Sequence, residues 1–173
     1  MHVAVTGFMG AGKTTVGRRL ARMLRMPFAD SDAEIVRVHG AIPQIFELEG
    51  EAKFRRYETE ALERLTSARS SVIAVGGGAV VSDENRALLR RDGVIVHLAI
   101  SAEAAFKRVA HRSHRPMLGV APSLDAISVL LRSRAAAYAD NDFEIEAAGR
   151  RPETIARAIA RWYRALAQNS ARQ

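Results

Sequence analysis

The chain has 173 residues, of which 48% are apolar and 26% charged, and its formal net charge is +7. This length suits one domain with a sizeable core, and the lack of cysteine excludes disulfides and thiolate metal sites. The positive charge suits either nucleic acid or small anions. Aromatic residues are only 6%, and no basic stretch is interleaved with them, so we expect small anionic ligands and no nucleic-acid partner.

Met1 leads directly into an apolar run, without the basic flank and cleavage pattern of a secretion signal. No run of apolar residues approaches the length needed to cross a membrane. We therefore expect a cytoplasmic protein with no membrane partner.

Short apolar runs alternate along the chain with longer segments of helical spacing. The runs lie at residues 3–6, 27–29, 71–75, 94–98 and 143–146. Such runs are typical of strands buried on both faces of a parallel sheet. Between them, segments such as 54–65 carry apolar residues at steps of three and four, which indicates helices. The alternation predicts an α/β fold, with the whole chain (1–173) forming one domain.

Residues 7–14 read Gly-Phe-Met-Gly-Ala-Gly-Lys-Thr and match the phosphate-binding pattern G-x-x-x-x-G-K-[ST]. The motif follows a predicted strand and opens a predicted helix at 13–24. Its backbone N–H groups and the helix dipole would converge on an anion, Lys13 would reach the β- and γ-phosphates, and Thr14 would ligate Mg²⁺. The alternative is a tight turn with an incidental lysine; pattern and context together favour a nucleoside triphosphate site.

Two acids, Asp30 and Asp32, end the second predicted strand, on the same sheet edge as the phosphate-binding loop. One could reach the Mg²⁺ shell, and the other could accept a proton from an acceptor hydroxyl. Ser31 and Glu34 also have the spacing of a capping box for the next helix. Capping and catalysis are compatible, and the residues alone leave both open.

Arginines occupy two informative positions. Arg134 falls on the apolar side of a predicted helix at 124–138, where its charge needs a carboxylate or phosphate, internal or external. Arg55 lies one helical turn from Glu58, so the two could simply pair.

Gly76, Gly77 and Gly78 follow the third predicted strand, where they permit a sharp turn or a close approach. No aspartate ends this strand, which argues against motor and switch ATPases. The irregular stretch at 111–122 predicts a mobile loop over a site. An arginine of such a loop can stabilise transferred phosphoryl charge; the candidates are Arg108, Arg112 and Arg115.

Together these motifs resemble the shikimate kinases over roughly residues 3–160. The matching segments are 7–17, 30–32, 45–51 with Phe54, Arg55 and Glu58, then 76–80, 115–118, and Arg134 followed by Tyr138. The phosphate-binding loop alone is common to many enzymes. The Phe-Arg-x-x-Glu motif after Gly-Glu, combined with the triple glycine, is far more specific.

The resemblance implies a three-layer P-loop NTPase fold of the nucleoside-monophosphate-kinase type. Its central sheet would have five parallel strands, with a mobile lid at about 109–122 and a substrate-binding helical segment at about 31–60. The implied reaction transfers the γ-phosphoryl group of ATP to the 3-hydroxyl of shikimate, giving shikimate 3-phosphate in chorismate and aromatic amino-acid biosynthesis. One Mg²⁺ ion and a monomeric protein are expected.

The resemblance also implies roles by position. The catalytic residues would be Lys13, Asp32 and Arg115. ATP would contact Gly10, Ala11, Gly12, Lys13, Thr14, Thr15, Arg108, Arg115, Arg150 and Arg151. Shikimate would contact Asp32, Arg55, Gly76, Gly77, Gly78 and Arg134, with the two arginines holding its carboxylate and Asp32 orienting or deprotonating its hydroxyl. Mg²⁺ would be bound by Thr14 and, through water, by Asp30.

The sequence departs from the family pattern at Ala136 and Ala137, where a Pro-Leu pair is usual, and at Asp142, where a small residue is common. The lid is rich in histidine and arginine at 111–114. We expect these changes to bear on substrate affinity and lid motion more than on the reaction.

Two other functions are compatible with parts of the sequence. A gluconate kinase would share the phosphate-binding loop but would not call for both Arg55 and Arg134. A non-catalytic nucleotide- or RNA-binding module would show salt-dependent RNA affinity; Asp32 and a lid arginine weigh against it.

Overall fold

The structure is a computed structural model that describes residues 1–109 and 123–170. Strands and helices alternate through most of it, as the sequence predicts. In chain order the elements are β1 (His2–Gly7), α1 (Lys13–Leu24), β2 (Phe28–Asp30), α2 (Ser31–His39), α3 (Ile42–Leu48), α4 (Gly50–Ser67), β3 (Val72–Ala74), a 3₁₀ turn (Ala79–Val81), α5 (Asp83–Arg91), β4 (Gly93–Ala99), α6 (Ala102–Val109), α7 (Leu124–Ser133), α8 (Ala135–Ala139), β5 (Phe143–Glu146) and α9 (Pro152–Ser170).

The strands form one five-stranded sheet in the order β2-β3-β1-β4-β5, and each neighbouring pair is parallel. The central strand β1 is buried along its whole length and pairs on both sides, Val3 lying opposite Val72 and Val94. This confirms the predicted parallel sheet. Because parallel strands end at one edge, the loops after β1, β2 and β3 meet there.

Two groups of apolar side chains stabilise the fold. The larger core lies on the sheet and includes Val5, Leu20 and Ile159. A smaller cluster, formed by Ile35, Ile45, Phe54, Tyr57 and Ala61, joins α2, α3 and α4 to one another. The predicted substrate-binding segment at 31–60 is thus a helical unit with its own apolar contacts.

The predicted helix at 124–138 is interrupted, which corrects the sequence interpretation. Arg134, with φ −101° and ψ −1°, separates α7 from α8. Its N–H donates to Leu131 at 3.2 Å, and its own carbonyl accepts from the N–H of Tyr138 at 3.0 Å. The interruption coincides with the contact that the Arg134 side chain makes across the molecule.

Within the described residues, no helix combines the length and apolar character required to span a membrane. The predicted lid at 109–122 lies outside the described residues, except that Val109 ends α6.

Candidate active site

The phosphate-binding loop runs from the end of β1 to the first turn of α1. Gly10 and Gly12 have φ of 81° and 94°, a region that side chains rarely adopt, so the loop requires glycine there. Lys13 begins α1, and its Nζ donates to the carbonyls of Gly7 at 2.9 Å and Phe8 at 3.3 Å. The ammonium group therefore lies over the loop, beside the positive end of the α1 dipole.

A cavity of about 430 Å³ opens above this loop, and we name it the nucleotide cavity. Most of the residues predicted to bind ATP line it: Gly10, Ala11, Gly12, Lys13, Thr14, Thr15, Arg108 and Arg150. Arg151 is exposed and does not line the cavity. Arg115, predicted as the lid arginine, lies outside the described residues.

Arg108 binds backbone rather than pointing freely into the nucleotide cavity. Its Nη1 donates to the carbonyl of Gly10 at 2.8 Å and its Nη2 to that of Ala147 at 3.2 Å. The guanidinium thereby joins the phosphate-binding loop to the segment after β5.

Asp30 connects the phosphate-binding loop to α2. Its Oδ2 accepts from the hydroxyl of Thr14 at 2.8 Å. Its Oδ1 accepts from the N–H groups of Asp32 at 3.2 Å and Ala33 at 3.3 Å, so Asp30 is the N-cap of α2.

The predicted capping box of Ser31 and Glu34 is wrong. Ser31 is buried, and its hydroxyl accepts from the N–H of Gly76 at 2.8 Å, because that buried donor needs a partner. Glu34 instead binds Arg37 at 2.8 Å and Arg64 at 3.1 Å.

A second cavity of about 470 Å³ lies next to the first, and we name it the acceptor cavity. Lys13 and Asp32 line both cavities. The other lining residues are Met9, Val36, Ala41, Ile42, Pro43, Phe46, Phe54, Arg55, Glu58, Gly77, Gly78 and Arg134. The structure thus brings together most of the residues predicted to bind substrate.

Gly76 is the exception among the predicted substrate residues, since it does not line the acceptor cavity. Its N–H is bound to Ser31, and a β-carbon on Gly76 would lie 2.6 Å from Oδ1 of Asp32. A side chain there would displace Asp32. Gly76 therefore leaves room for the Asp32 side chain without lining the cavity itself.

Arg134 is 6% exposed, which confirms the prediction that it points inward. Its Nη1 donates to the carbonyl of Gly77 at 3.1 Å, and its guanidinium carbon lies 5.8 Å from the centre of the Phe8 ring. No carboxylate of the described residues lies within ion-pair distance of it, although its charge acts on Glu58 from farther away. A buried guanidinium in this state suits an anionic ligand.

Arg55 lines the acceptor cavity but is already paired. It lies 2.7 Å from Oε1 of Glu51 and 2.5 Å from Oε2 of Glu58. The pairing that the sequence left open is therefore what the structure shows. Burial raises the pKa of Glu58, while the nearby charge of Arg55 opposes that rise.

Sequence reasoning assigned Glu58 no role beyond pairing, and it missed the apolar wall of the acceptor cavity. Glu58 stands on the buried face of α4 with Phe54 and Tyr57, and that position could have marked it. Ile42 and Phe46, at the start and middle of α3, have four-residue spacing, which indicates a helix face but not a cavity.

Fold and site define a kinase of the P-loop class with a nucleoside-monophosphate-kinase-like fold, as predicted. The fold is shared, for example, with a deoxyadenosine kinase from M. mycoides at a TM-score of 0.65 and 14% identity. The family model for shikimate kinase matches residues 9–164. The chain belongs to the shikimate kinase family.

Individual relatives agree with this family. The shikimate kinase of Geobacter sulfurreducens is 43% identical over 164 residues, covering 94% of this chain and 91% of the relative. That of Caldicellulosiruptor bescii is 41% identical, covering 91% and 92%. The solved structure of shikimate kinase from Acinetobacter baumannii in complex with shikimate has 39% identity and a TM-score of 0.90, covering 95% of this chain and 93% of that one. The predicted enzyme class and family are confirmed.

Proposed function

We propose that the chain transfers the γ-phosphoryl group of ATP to the 3-hydroxyl of shikimate, with ATP in the nucleotide cavity and shikimate in the acceptor cavity. The observation that carries this proposal is that the two cavities share Lys13 and Asp32. A phosphoryl donor and an acceptor hydroxyl bound on either side would meet at an ammonium group and a carboxylate. Family membership supports both ligands.

On the nucleotide side, the loop amides and the N-terminus of α1 stabilise phosphate charge. Lys13 now binds two carbonyls, and we propose that it exchanges them for phosphate oxygens, to which a cation binds more strongly. Arg150 lines the same cavity and would contact the nucleotide. By resemblance, Arg115 would add positive charge at the transferred group.

One Mg²⁺ ion is part of the proposal, and the residues present fit it. The hydroxyl of Thr14 and the carboxylate of Asp30 are oxygen donors of the kind Mg²⁺ prefers, and they already meet at 2.8 Å. Among the described residues, no group of three or more His, Cys, Asp or Glu gathers to hold a metal. Mg²⁺ commonly takes its other ligands from phosphates and water, and it neutralises phosphate charge.

On the acceptor side, Arg134 would bind the shikimate carboxylate, because it is buried and has no ion-pair partner among the described carboxylates. Arg55 would also bind this carboxylate, while its guanidinium keeps its ion pairs with Glu51 and Glu58. Asp32 would orient or deprotonate the reacting hydroxyl. The apolar wall at Ile42 and Phe46 suits the hydrocarbon face of a ring.

We also propose a monomer acting in the cytoplasm, with no nucleic-acid or membrane partner. Light scattering of the purified chain would test the oligomeric state.

The proposal is tested by measuring ADP release in a coupled assay with shikimate, quinate and gluconate as acceptors. We expect turnover with shikimate to exceed that with either other acceptor by more than about tenfold in kcat/KM. All three acids present a carboxylate, so the difference would come from ring shape and hydroxyl positions, and one buried polar group of the site left unpaired is sufficient for it. Preferred turnover of gluconate would favour a sugar-acid kinase instead. A gluconokinase from Sinorhizobium meliloti shares the fold at 22% identity and a TM-score of 0.67.

A further inference from the structure

The carbonyl of Gly77 accepts two hydrogen bonds, one from α8 and one from the residue that separates α7 from α8. Tyr138 donates through its hydroxyl at 2.6 Å, and Arg134 donates through Nη1 at 3.1 Å. Both residues are buried, Tyr138 being 5% exposed and Arg134 6% exposed. Burial raises the pKa of Tyr138, so its phenol remains protonated and donates.

Gly77 lies between this pair of donors and the phosphate-binding loop. A β-carbon on it would lie 3.3 Å from the carbonyl oxygen of Gly7 and 3.7 Å from Nζ of Lys13. Gly77 and Gly78 both line the acceptor cavity. The peptide unit between them therefore forms part of the cavity wall beside Lys13.

A peptide unit is planar, so fixing one end fixes the other. The direction of the Gly77 carbonyl sets the direction of the Gly78 N–H, which points the opposite way across the bond. Glycine backbone rotates more freely than that of any other residue. External hydrogen bonds are therefore needed to hold this unit in one orientation.

Arg134 alone is a poor anchor for this carbonyl, because its other donors are needed for an anionic ligand. The Tyr138 hydroxyl lies against this carbonyl and against Arg134, and its ring is fixed by stacking on His97, with ring centres 4.7 Å apart. His97 in turn lies 3.4 Å from the hydroxyl of Thr6 in the central strand. Burial, followed by the charge of Lys13, lowers the pKa of His97 to about 4, so this support is uncharged at neutral pH.

We propose that Tyr138 is a positioning residue of the acceptor cavity: its hydroxyl fixes the Gly77 carbonyl, and so orients the Gly77–Gly78 peptide unit and leaves Arg134 oriented toward the acceptor. This inference rests on the proposed function and adds a residue that the family resemblance did not place in the site.

The test is Tyr138→Phe, which keeps the ring and its stacking on His97 but removes the donor. We expect the KM for shikimate, and its Kd measured by calorimetry without ATP, to rise together by roughly three- to tenfold, as one net hydrogen bond implies. The KM for ATP should stay within about twofold, since neither Tyr138 nor Gly77 lines the nucleotide cavity. The matched control is Tyr163→Phe, because Tyr163 also donates to a backbone carbonyl, that of Met1 at 3.1 Å, away from both cavities.

Three outcomes would overturn the inference. The first is an unchanged KM and Kd for shikimate in Tyr138→Phe. The second is an equal rise in the KM for shikimate and the KM for ATP, accompanied by a lower Tm, and the third is a failure of the variant to fold. Either of the last two would show that the hydroxyl stabilises the fold and does not position the acceptor cavity. Wild-type protein that does not phosphorylate shikimate would instead remove the proposed function, which separates the two failures.

Discussion

Arg55 and Glu58 form a 2.5 Å ion pair on α4 in which the two side chains differ in exposure, at 33% and 3%. The carboxylate is buried and the guanidinium reaches the acceptor cavity. Glu51 binds the same guanidinium from the outside, where it is 56% exposed. An incoming carboxylate would therefore meet an arginine held in place from two directions.

The difference in exposure predicts that the two glutamates contribute unequally to stability. Glu58→Gln removes a buried charge partner of Arg55 and should lower the free energy of unfolding by about 1–3 kcal/mol. Glu51→Gln, the matched control on the same guanidinium, should cost less than about 0.5 kcal/mol because exposed pairs are weak. Urea denaturation of both variants measures this, and equal losses would contradict it.

Arg134→Ala should raise the KM for shikimate sharply and leave the KM for ATP nearly unchanged. Loss of a charge-assisted pair costs roughly 2–4 kcal/mol, about 30- to 1,000-fold in affinity. Arg132→Ala is the control, since Arg132 is exposed in the last turn of α7, two residues before Arg134. Kinetics of Arg134→Ala indistinguishable from those of the control would refute the assignment. For Arg55→Ala we expect the same direction, with an additional loss of stability from the unpaired Glu58.

Lys13→Ala should abolish phosphoryl transfer. Lys13 lies at the junction of the two cavities, and no other described residue places an ammonium group there. We expect kcat to fall by at least about 10³-fold, the scale of losing a group that stabilises transferred charge. Single-turnover measurements with saturating ATP separate this from weaker binding. Near-normal turnover would exclude the role given to the loop lysine.

Asp142, one of the departures from the family pattern, should matter for stability rather than for shikimate affinity. Its Oδ2 accepts from the N–H of Ile95 at 2.7 Å, and its Oδ1 binds Arg90 at 2.8 Å, between β4 and β5. Asp142→Ala leaves that N–H without its acceptor and should cost about 1–3 kcal/mol. Asp83→Ala is the control, because Asp83 is 91% exposed. A changed shikimate KM with an unchanged Tm would reverse this interpretation.

Glu34 predicts how stability responds to acid. The hydrogen bond from Arg37 lowers the pKa of Glu34 to about 2. Burial opposes this shift, and the hydrogen bond from Arg64 adds to the lowering. A lowered pKa means that the stabilisation is complete above the ordinary value of 4.5 and is lost as pH falls toward 2. We expect about 1 kcal/mol to be lost over this range after solvent screening. Glu34→Gln should lose less between pH 5 and about 2.5 in urea denaturation; identical losses would contradict the role of Glu34.

The strands β1, β3 and β4 were predictable from sequence because each is a short apolar run buried on both faces. The edge strands β2 and β5 are only partly buried, and their sequences show the pattern less clearly. The pairing of Arg55 with Glu58 was also accessible, since residues three apart on a helix are neighbours. The spacing of residues along the chain is thus sufficient to predict strands and contacts within one helix.

Other features depend on partners far along the chain. The interruption at Arg134 accompanies a hydrogen bond from its side chain to the carbonyl of Gly77. At the start of α2, the hydroxyl of Ser31 binds Gly76, and Asp30 caps the helix instead. Neither contact can be predicted from the residues that neighbour Arg134 or Ser31 in sequence. The apolar wall of the acceptor cavity is equally a product of how α2, α3 and α4 pack.

The order of strands bears on how the enzyme forms during synthesis. The strand that carries the phosphate-binding loop comes first along the chain, yet both of its neighbours, β3 and β4, come about seventy and ninety residues later. Contacts between residues so distant in sequence form slowly, because the intervening chain loses conformational entropy before the contacts stabilise it. On a ribosome, β1 would lack one neighbour until β4 emerges, and the nucleotide cavity, which also uses Arg108 and Arg150, would be complete only when almost the whole chain has been made.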